Sequence, residues 1–216
     1  MVLKELLLIC GSVHSLIQGE YPHNPNLMPN IGNGFIGTVV DSDSIYMAGL
    51  YCFIRHIEIF PGAQRCRIPM PPSLNMTVVG STIDTVELDI DNGIVKKHIT
   101  MPGKKVKITN SRYAHRTITS LIVNEFVIDN SESDEDFTFS FKPEKDQSKT
   151  KDIKFESVPS DQEGVATEEG LVNHAEEGDV RAKVAYSYTT HSAKDIYVPH
   201  NSVARFNFLA TFRASF

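Results

Sequence analysis

The chain contains no tryptophan. Indole rings are a common stacking platform for sugars, so a free-standing lectin face would have to use tyrosine or phenylalanine. Cysteine is scarce: Cys10, Cys52 and Cys66 are the whole complement. No CxxC occurs and no Cys/His pair has zinc spacing, which argues against a zinc module. The histidines form neither HxxxH nor HExxH, so a catalytic metal is not expected. GxSxG, the elbow of many serine hydrolases, is missing too. No apolar run approaches the roughly 18 residues that a membrane-spanning helix needs, so no membrane span is expected. Basic patches are also lacking, and the formal net charge of −6 argues against nucleic acid as a partner.

What is present is strand-like. Hydrophobic residues make up 41 % of 216 and charged residues 22 %, enough apolar mass for a substantial core in one large β domain or two small ones. Phe35 to Val40 and Ser44 to Tyr51 are β-branched or apolar runs. From Thr85 to Asp91, Val86, Leu88 and Ile90 alternate with polar residues; Asp91-Asn92-Gly93 is a hairpin signal, and Ile94 to Thr100 is the expected return strand. Ser120 to Asp129 reads as a strong strand. Period-two alternation recurs in Phe137, Phe139 and Phe141, from Val180 to Tyr188, and from Ala204 to Phe212. No stretch shows convincing helical periodicity apart from a candidate turn near Glu168 to Glu176. These patterns predict an all-β fold, a large and mostly antiparallel two-sheet β-sandwich with few or no helices.

Other segments are less regular. Pro143 to Asp179 is polar and reads as a long exposed loop holding one strand around Ile153, Phe155 and Val158. Asn130 to Asp136 is an acidic loop that looks solvated. Residues 1–19 carry a short apolar run behind Lys4, open to reading as a weak signal peptide or an unstructured leader. The compartment is accordingly left open between secreted and cytoplasmic. Cys52 and Cys66 could pair in an oxidising compartment or stay as buried thiols. Asn75-Met76-Thr77 is a glycosylation sequon at Asn75. Gly32-Asn33-Gly34-Phe35-Ile36-Gly37 matches GxGxxG, but a Pro/Asn-rich loop precedes it and Thr38-Val39-Val40 follows. A dinucleotide site needs a strand before and a helix after, so a tight turn into a first strand is the better reading.

The most distinctive segment is Arg112-Tyr113-Ala114-His115-Arg116-Thr117. On an extended strand Arg112, Ala114 and Arg116 share one face, and Tyr113, His115 and Thr117 the other. Such groups suit hydrogen bonding to a polyol or a neighbouring domain. They equally suit a structural polar network, which is the reading favoured. With Asn33, the residues Arg112, Tyr113, His115 and Arg116 are the candidate carbohydrate or interdomain contacts.

Taken in order, several segments resemble glycoside hydrolase family 65. Asn33-Gly34-Phe35-Ile36-Gly37-Thr38 is similar to that family's NGYLGT-type opening. Ile45 to Tyr51 resembles a strand ending in a GVYN pattern, with Cys52 where asparagine is usual. Arg67-Ile68-Pro69 followed by Pro71-Pro72 resembles the next segment, and Tyr113 to Thr117 a YAHRT strand. The resemblance runs from about Pro25 to the C-terminus. It implies a large N-terminal β-sandwich at 20–216, of the galactose-mutarotase-like supersandwich type. In the family an (α/α)6 barrel follows and carries the catalytic carboxylates that invert α-glucosidic bonds. One member acts on the glucosyl-galactosyl unit of hydroxylysine. No organic or metal cofactor is implied. No residue here matches the catalytic motif, so the barrel and its carboxylates are expected outside these residues and no catalytic residue is assigned. The resemblance therefore implies a non-catalytic domain, inactive alone, with a carbohydrate or glycoprotein ligand and a barrel as partners. The alternative is a stand-alone carbohydrate-binding or structural module.

Overall fold

A computed structural model describes residues 16–22, 24, 27–53, 63–144, 150–173, 181–191 and 194–215. In chain order the strands are β1 (Leu16–Glu20), β2 (Asn30–Gly32), β3 (Ile36–Val39), β4 (Ser44–Met47), β5 (Tyr51–Phe53), β6 (Ala63–Arg65), β7 (Ile68–Pro69), β8 (Met76–Val78), β9 (Thr82–Asp89) and β10 (Ile94–Thr100). They continue as β11 (Lys107–Ala114), β12 (Leu121–Asp129), β13 (Phe137–Phe139), β14 (Phe141–Pro143), β15 (Ile153–Val158), β16 (Val165–Val172), β17 (Lys183–Thr189), β18 (Ile196–Val198) and β19 (Val203–Ser215). A 3-10 turn, Pro72–Asn75, lies between β7 and β8. The all-β expectation holds.

One nine-stranded sheet forms the frame, in the order β1-β9-β10-β11-β12-β19-β17-β16-β15. All of its pairings are antiparallel. Its inner face is covered by small sheets, β2-β3-β4-β7, β5-β6, β14-β8 and β13-β18, and by the 3-10 turn. Alternation along each long strand sends every second side chain inward. In β11 the buried positions are Ile108, Asn110, Arg112 and Ala114; in β12 they include Ile122, Asn124, Phe126 and Ile128.

The core has two halves. In one, Ile36, Ile45, Leu50 and Ile68 of the covering layer meet Val95, Ala114, Ile122, Tyr186 and Phe212 of the large sheet. In the other, Met76, Val78, Phe139 and Phe141 meet Ile99, Ile108, Phe126 and Phe208. Phe141 sits edge-on to Phe208 with ring centres 5.0 Å apart, and Phe126 is tilted against Phe141 at 4.8 Å. Between the halves lies a band of buried polar residues: Lys97, Asn110, Arg112 and Asn124.

Three segments differ from the sequence reading. The alternating phenylalanines do not make one strand. The chain switches sheets at Ser140, so that β13 pairs with β18 and β14 with β8. Among its described residues the polar segment 143–179 contains two full strands, β15 and β16, rather than one. Val165–Val172 is β16, packed between β15 and β17, and no helical turn forms over Glu168 to Val172. Its four central residues, Thr167 to Gly170, lack the apolar alternation that marks a strand, because carboxylates take part in cross-strand contacts. Glu168 accepts from the Tyr186 hydroxyl at 2.7 Å, and Glu169 pairs with Lys183. The Ser44-to-Tyr51 run also breaks, at Gly49, whose φ of 77° turns the chain from β4 into β5. The large sheet takes in Leu16 to Gly19, ahead of the 20–216 span expected for the sandwich. The rest of the 1–19 leader, and Cys10 with it, lies outside the described residues. No helix among the described residues is long and apolar enough to cross a membrane.

Gly170 shows how tightly β15 and β16 approach. A Cβ there would lie 2.6 Å from the Lys154 carbonyl oxygen and 2.7 Å from Cγ2 of Ile153. Both neighbours are fixed by the sheet, so a side chain forces the strands apart. Gly170→Val is expected to cost about 1–3 kcal/mol, the usual range for overpacking, seen as a lower urea midpoint. An unchanged midpoint would show that β15 is loosely held.

Candidate functional site

The family-like segments meet at one end of the sandwich, and the structure shows what joins them. Asn33 opens the hairpin between β2 and β3. Its Oδ1 accepts from the backbone N–H groups of Phe35 and Ile36 at 3.0 and 3.1 Å. Its Nδ2 donates to the carbonyls of His115 and Thr119 at 2.8 and 2.9 Å. One amide thus ties the small sheet to the loop between β11 and β12. That loop is set by His115, whose Nδ1 accepts from the N–H groups of Thr117 and Ile118. A ring accepting at Nδ1 carries its proton on Nε2. Arg116 donates from Nη2 to the carbonyl of Asp91 at the β9–β10 hairpin. Tyr113 points to the outer face beside Glu125; burial and then that carboxylate push its hydroxyl up. Gly34, with φ of 88°, turns the chain into β3, the structural role expected for the glycine-rich motif.

Arg112 lies elsewhere. It faces the core, 4 % exposed, and no ligand can reach it. Its Nη1 donates to Oδ1 of Asp41 at 2.8 Å and its Nε to Oδ1 of Asn124 at 3.3 Å. Lys97 donates to the same Asp41 oxygen. The Tyr21 hydroxyl reaches Oδ2 of Asp41 at 2.9 Å. Asn110 donates to Asn124, whose own Nδ2 donates to the Ser73 carbonyl at 3.0 Å. Asp41 and Ser73 belong to the covering layer, so the network bolts the two layers together. The Arg112 guanidinium is enclosed in this network between the layers, which places it away from any surface where a carbohydrate could be met.

Two cations share one carboxylate here. Burial works to raise the Asp41 carboxyl, but Arg112 and then Lys97 outweigh it and hold it below the usual carboxylate range. Burial pushes the Lys97 ammonium down to about 8, helped by Arg112 and opposed by Asp41. Asp41 itself has φ of 65°, a left-handed conformation that Asp tolerates better than most residues. Neither Asp41 nor Lys97 was foreseen. A signal existed: Lys97 lies between Val95 and Ile99 on the buried face of β10.

The remaining sequence candidates also have structural roles. Arg67 grips Asp152 with both Nε and Nη2, at 3.0 and 3.1 Å, and with its backbone N–H, tying the segment ahead of β7 to the start of β15. Cys52 and Cys66 are buried, and Cys52 is a free thiol that accepts weakly from Gln64 at 3.6 Å. The register sets Cys52 opposite Gln64, so Cys66 lies diagonally across and no bond joins the two cysteines. Asn75, the sequon residue, is 6 % exposed at the end of the 3-10 turn, whereas a glycan needs a surface amide. The acidic loop pairs with a lysine row: Lys107 with Glu132, Lys105 with Asp134 and Lys104 with Glu135. These pairs are exposed and contribute little stability. No group of three or more metal-ligating side chains forms among the described residues.

The chain is 28 % identical over 133 residues to the protein-glucosylgalactosylhydroxylysine glucosidase of Dictyostelium discoideum. That match takes in 59 % of this chain and 18 % of the relative. A solved structure from the human microbiome, described as a kojibiose phosphorylase, superposes over 93 % of this chain with a TM-score of 0.63. The chain resembles family 65 glycoside hydrolases. At 11 % identity the structural likeness is one of fold, and it spans 32 % of the phosphorylase chain. No family model matches. The chain therefore covers a minor part of both relatives.

The Asp41 network generates two expectations. Asp41→Asn leaves two buried cations without their anion and should cost about 3–5 kcal/mol, read as a urea midpoint. For Lys97, the folded value near 8 lies below the ordinary 10.5. Between these values the unfolded chain binds more protons, so this residue makes stability rise with pH across that window. Its cost is present in full below about 8. Lys97→Met should remove that rise; parallel pH profiles for both proteins would refute it.

Proposed function

We propose that this sandwich is the N-terminal, non-catalytic domain of an α-glucosidase-type glycoside hydrolase of family 65. Its substrate would be glucosyl-galactosyl-hydroxylysine or a related α-glucoside. The observation that carries the reading is the 133-residue match to a glucosidase of that specificity. The acid and base of cleavage then lie in a barrel outside these residues.

The electrostatics support this division of labour. A glycosidase general acid needs a carboxyl group with a raised pKa, facing a second carboxylate across the scissile bond. Among the described residues, every carboxyl with a resolved shift moves the other way. Asp41, Glu87, Asp129, Asp136 and Asp152 are all lowered. In each case a cation or hydrogen-bond donors hold the charged form, as Lys96 does for Glu87.

A surface for the barrel is suggested by the end where the family-like segments gather. Phe35 there is 36 % exposed, Ile90 51 % and Ile118 54 %. Asn33, His115 and Arg116 set the loops that present these side chains. On this reading they are positioning residues for an interdomain contact, and the sugar is bound elsewhere.

The test compares the 216-residue chain with a longer polypeptide that includes the downstream coding sequence. Glucose release from glucosyl-galactosyl-hydroxylysine is expected from the longer protein and not from the chain alone. Ile118→Glu should leave the melting temperature of the chain unchanged and lower that of the longer protein. Turnover by the chain alone, or a downstream sequence encoding no barrel, would sink the proposal.

A further inference from the structure

Two buried side-chain polar atoms lack a partner among the described residues: Oδ1 of Asn75 and Nε2 of His191. His191 lines a pocket, and Asn75 is the chain neighbour of another of its lining residues, Met76. The pocket has a volume of about 290 Å³ and lies where the 3-10 turn, β14 and the end of β17 come together. Buried polar groups are nearly always satisfied, so two orphans in one neighbourhood need a reason. The Asn75 carbonyl accepts from the N–H of Glu144, next to the wall residue Pro143.

The walls are mainly apolar, formed by Pro72, Met76, Phe141 and Pro143. The imidazole of His191 stands edge-on to Phe141 and Phe208, with ring centres 5.5 and 5.7 Å away. Burial lowers its pKa, so the ring is neutral near pH 7. The Tyr188 hydroxyl reaches Glu168 at only 3.5 Å, leaving capacity for a second partner. Among the lining residues Lys142 is the lone cation, and it is exposed. An anion would therefore find no buried counter-charge.

We propose that this pocket binds a small uncharged ring bearing hydroxyl groups, of pyranose size. The volume suits one six-membered ring. The proline, methionine and phenylalanine walls suit its C–H faces. A hydroxyl can donate or accept, and so satisfies Nε2 of His191 in either tautomer after a small turn of the imidazole. The site is distinct from the end where the barrel is proposed to dock and does not rest on that proposal.

The test is a titration of the purified chain with glucose and with galactose, followed by protein chemical shifts. Saturation with a Kd of about 1–10 mM is expected for at least one sugar. Thr190→Trp, at the exposed rim, should abolish it. His191→Phe keeps the ring packing on Phe141 and Phe208 and removes the nitrogens; it should weaken binding about fivefold, the loss of one hydrogen bond. Melting temperatures of both variants should match the parent. No saturation by either sugar at about 100 mM would overturn the inference. Saturation unchanged in both variants, or by phenol but by neither sugar, would do the same. None of these results bears on hydrolysis by the longer polypeptide, so the two proposals fail separately.

Discussion

The sandwich is held in register by a carboxylate that two cations share. Asp41 comes from the covering layer, whereas Lys97 and Arg112 come from adjacent strands of the nine-stranded sheet. All three side chains are withdrawn from water. Apolar packing alone is tolerant, because a sheet can slide over another apolar surface with modest loss. A buried ion network is not. Shifting β10 or β11 by one residue against its neighbours would send Lys97 or Arg112 to the outer face and strip the buried Asp41 of one of its two cations. The network contributes uniqueness to the fold more than net stability, since desolvation offsets much of the attraction.

The two core halves depend on this band. On one side lie the aliphatic residues of the β2-β3-β4-β7 layer, on the other the phenylalanine cluster around Phe126 and Phe141. Asn110 and Asn124 continue the polar line across the sheet until Asn124 reaches the 3-10 turn through the Ser73 carbonyl. Each half therefore has a fixed depth and a fixed set of partners. The pocket beside His191 opens where the second half meets that turn.

The family-like segments are legible as a group because they perform one structural task. Asn33 is 82 residues from His115 in sequence, yet its amide closes the gap between their loops. Gly34 supplies the positive φ that the same hairpin requires. The arginines of the distinctive segment divide: Arg112 turns into the core and Arg116 braces the β9–β10 hairpin. Alternation alone put them on one face. The strand ends at Ala114, and beyond that point period two no longer applies.

Apolar alternation and turn chemistry were enough to establish an all-β chain, most of its long strands and the β9–β10 hairpin, because those signals act over a few neighbouring residues. Strand β16 escaped them, since its central carboxylates are stabilised by tyrosine and lysine partners on another strand. The split of the phenylalanine run between two sheets and the burial of Asn75 were equally hidden. So was the meeting of Asp41 with Lys97 and Arg112. Each depends on which distant strand lies opposite. That choice is made when the layers close, and it decides whether a polar side chain meets water or a partner.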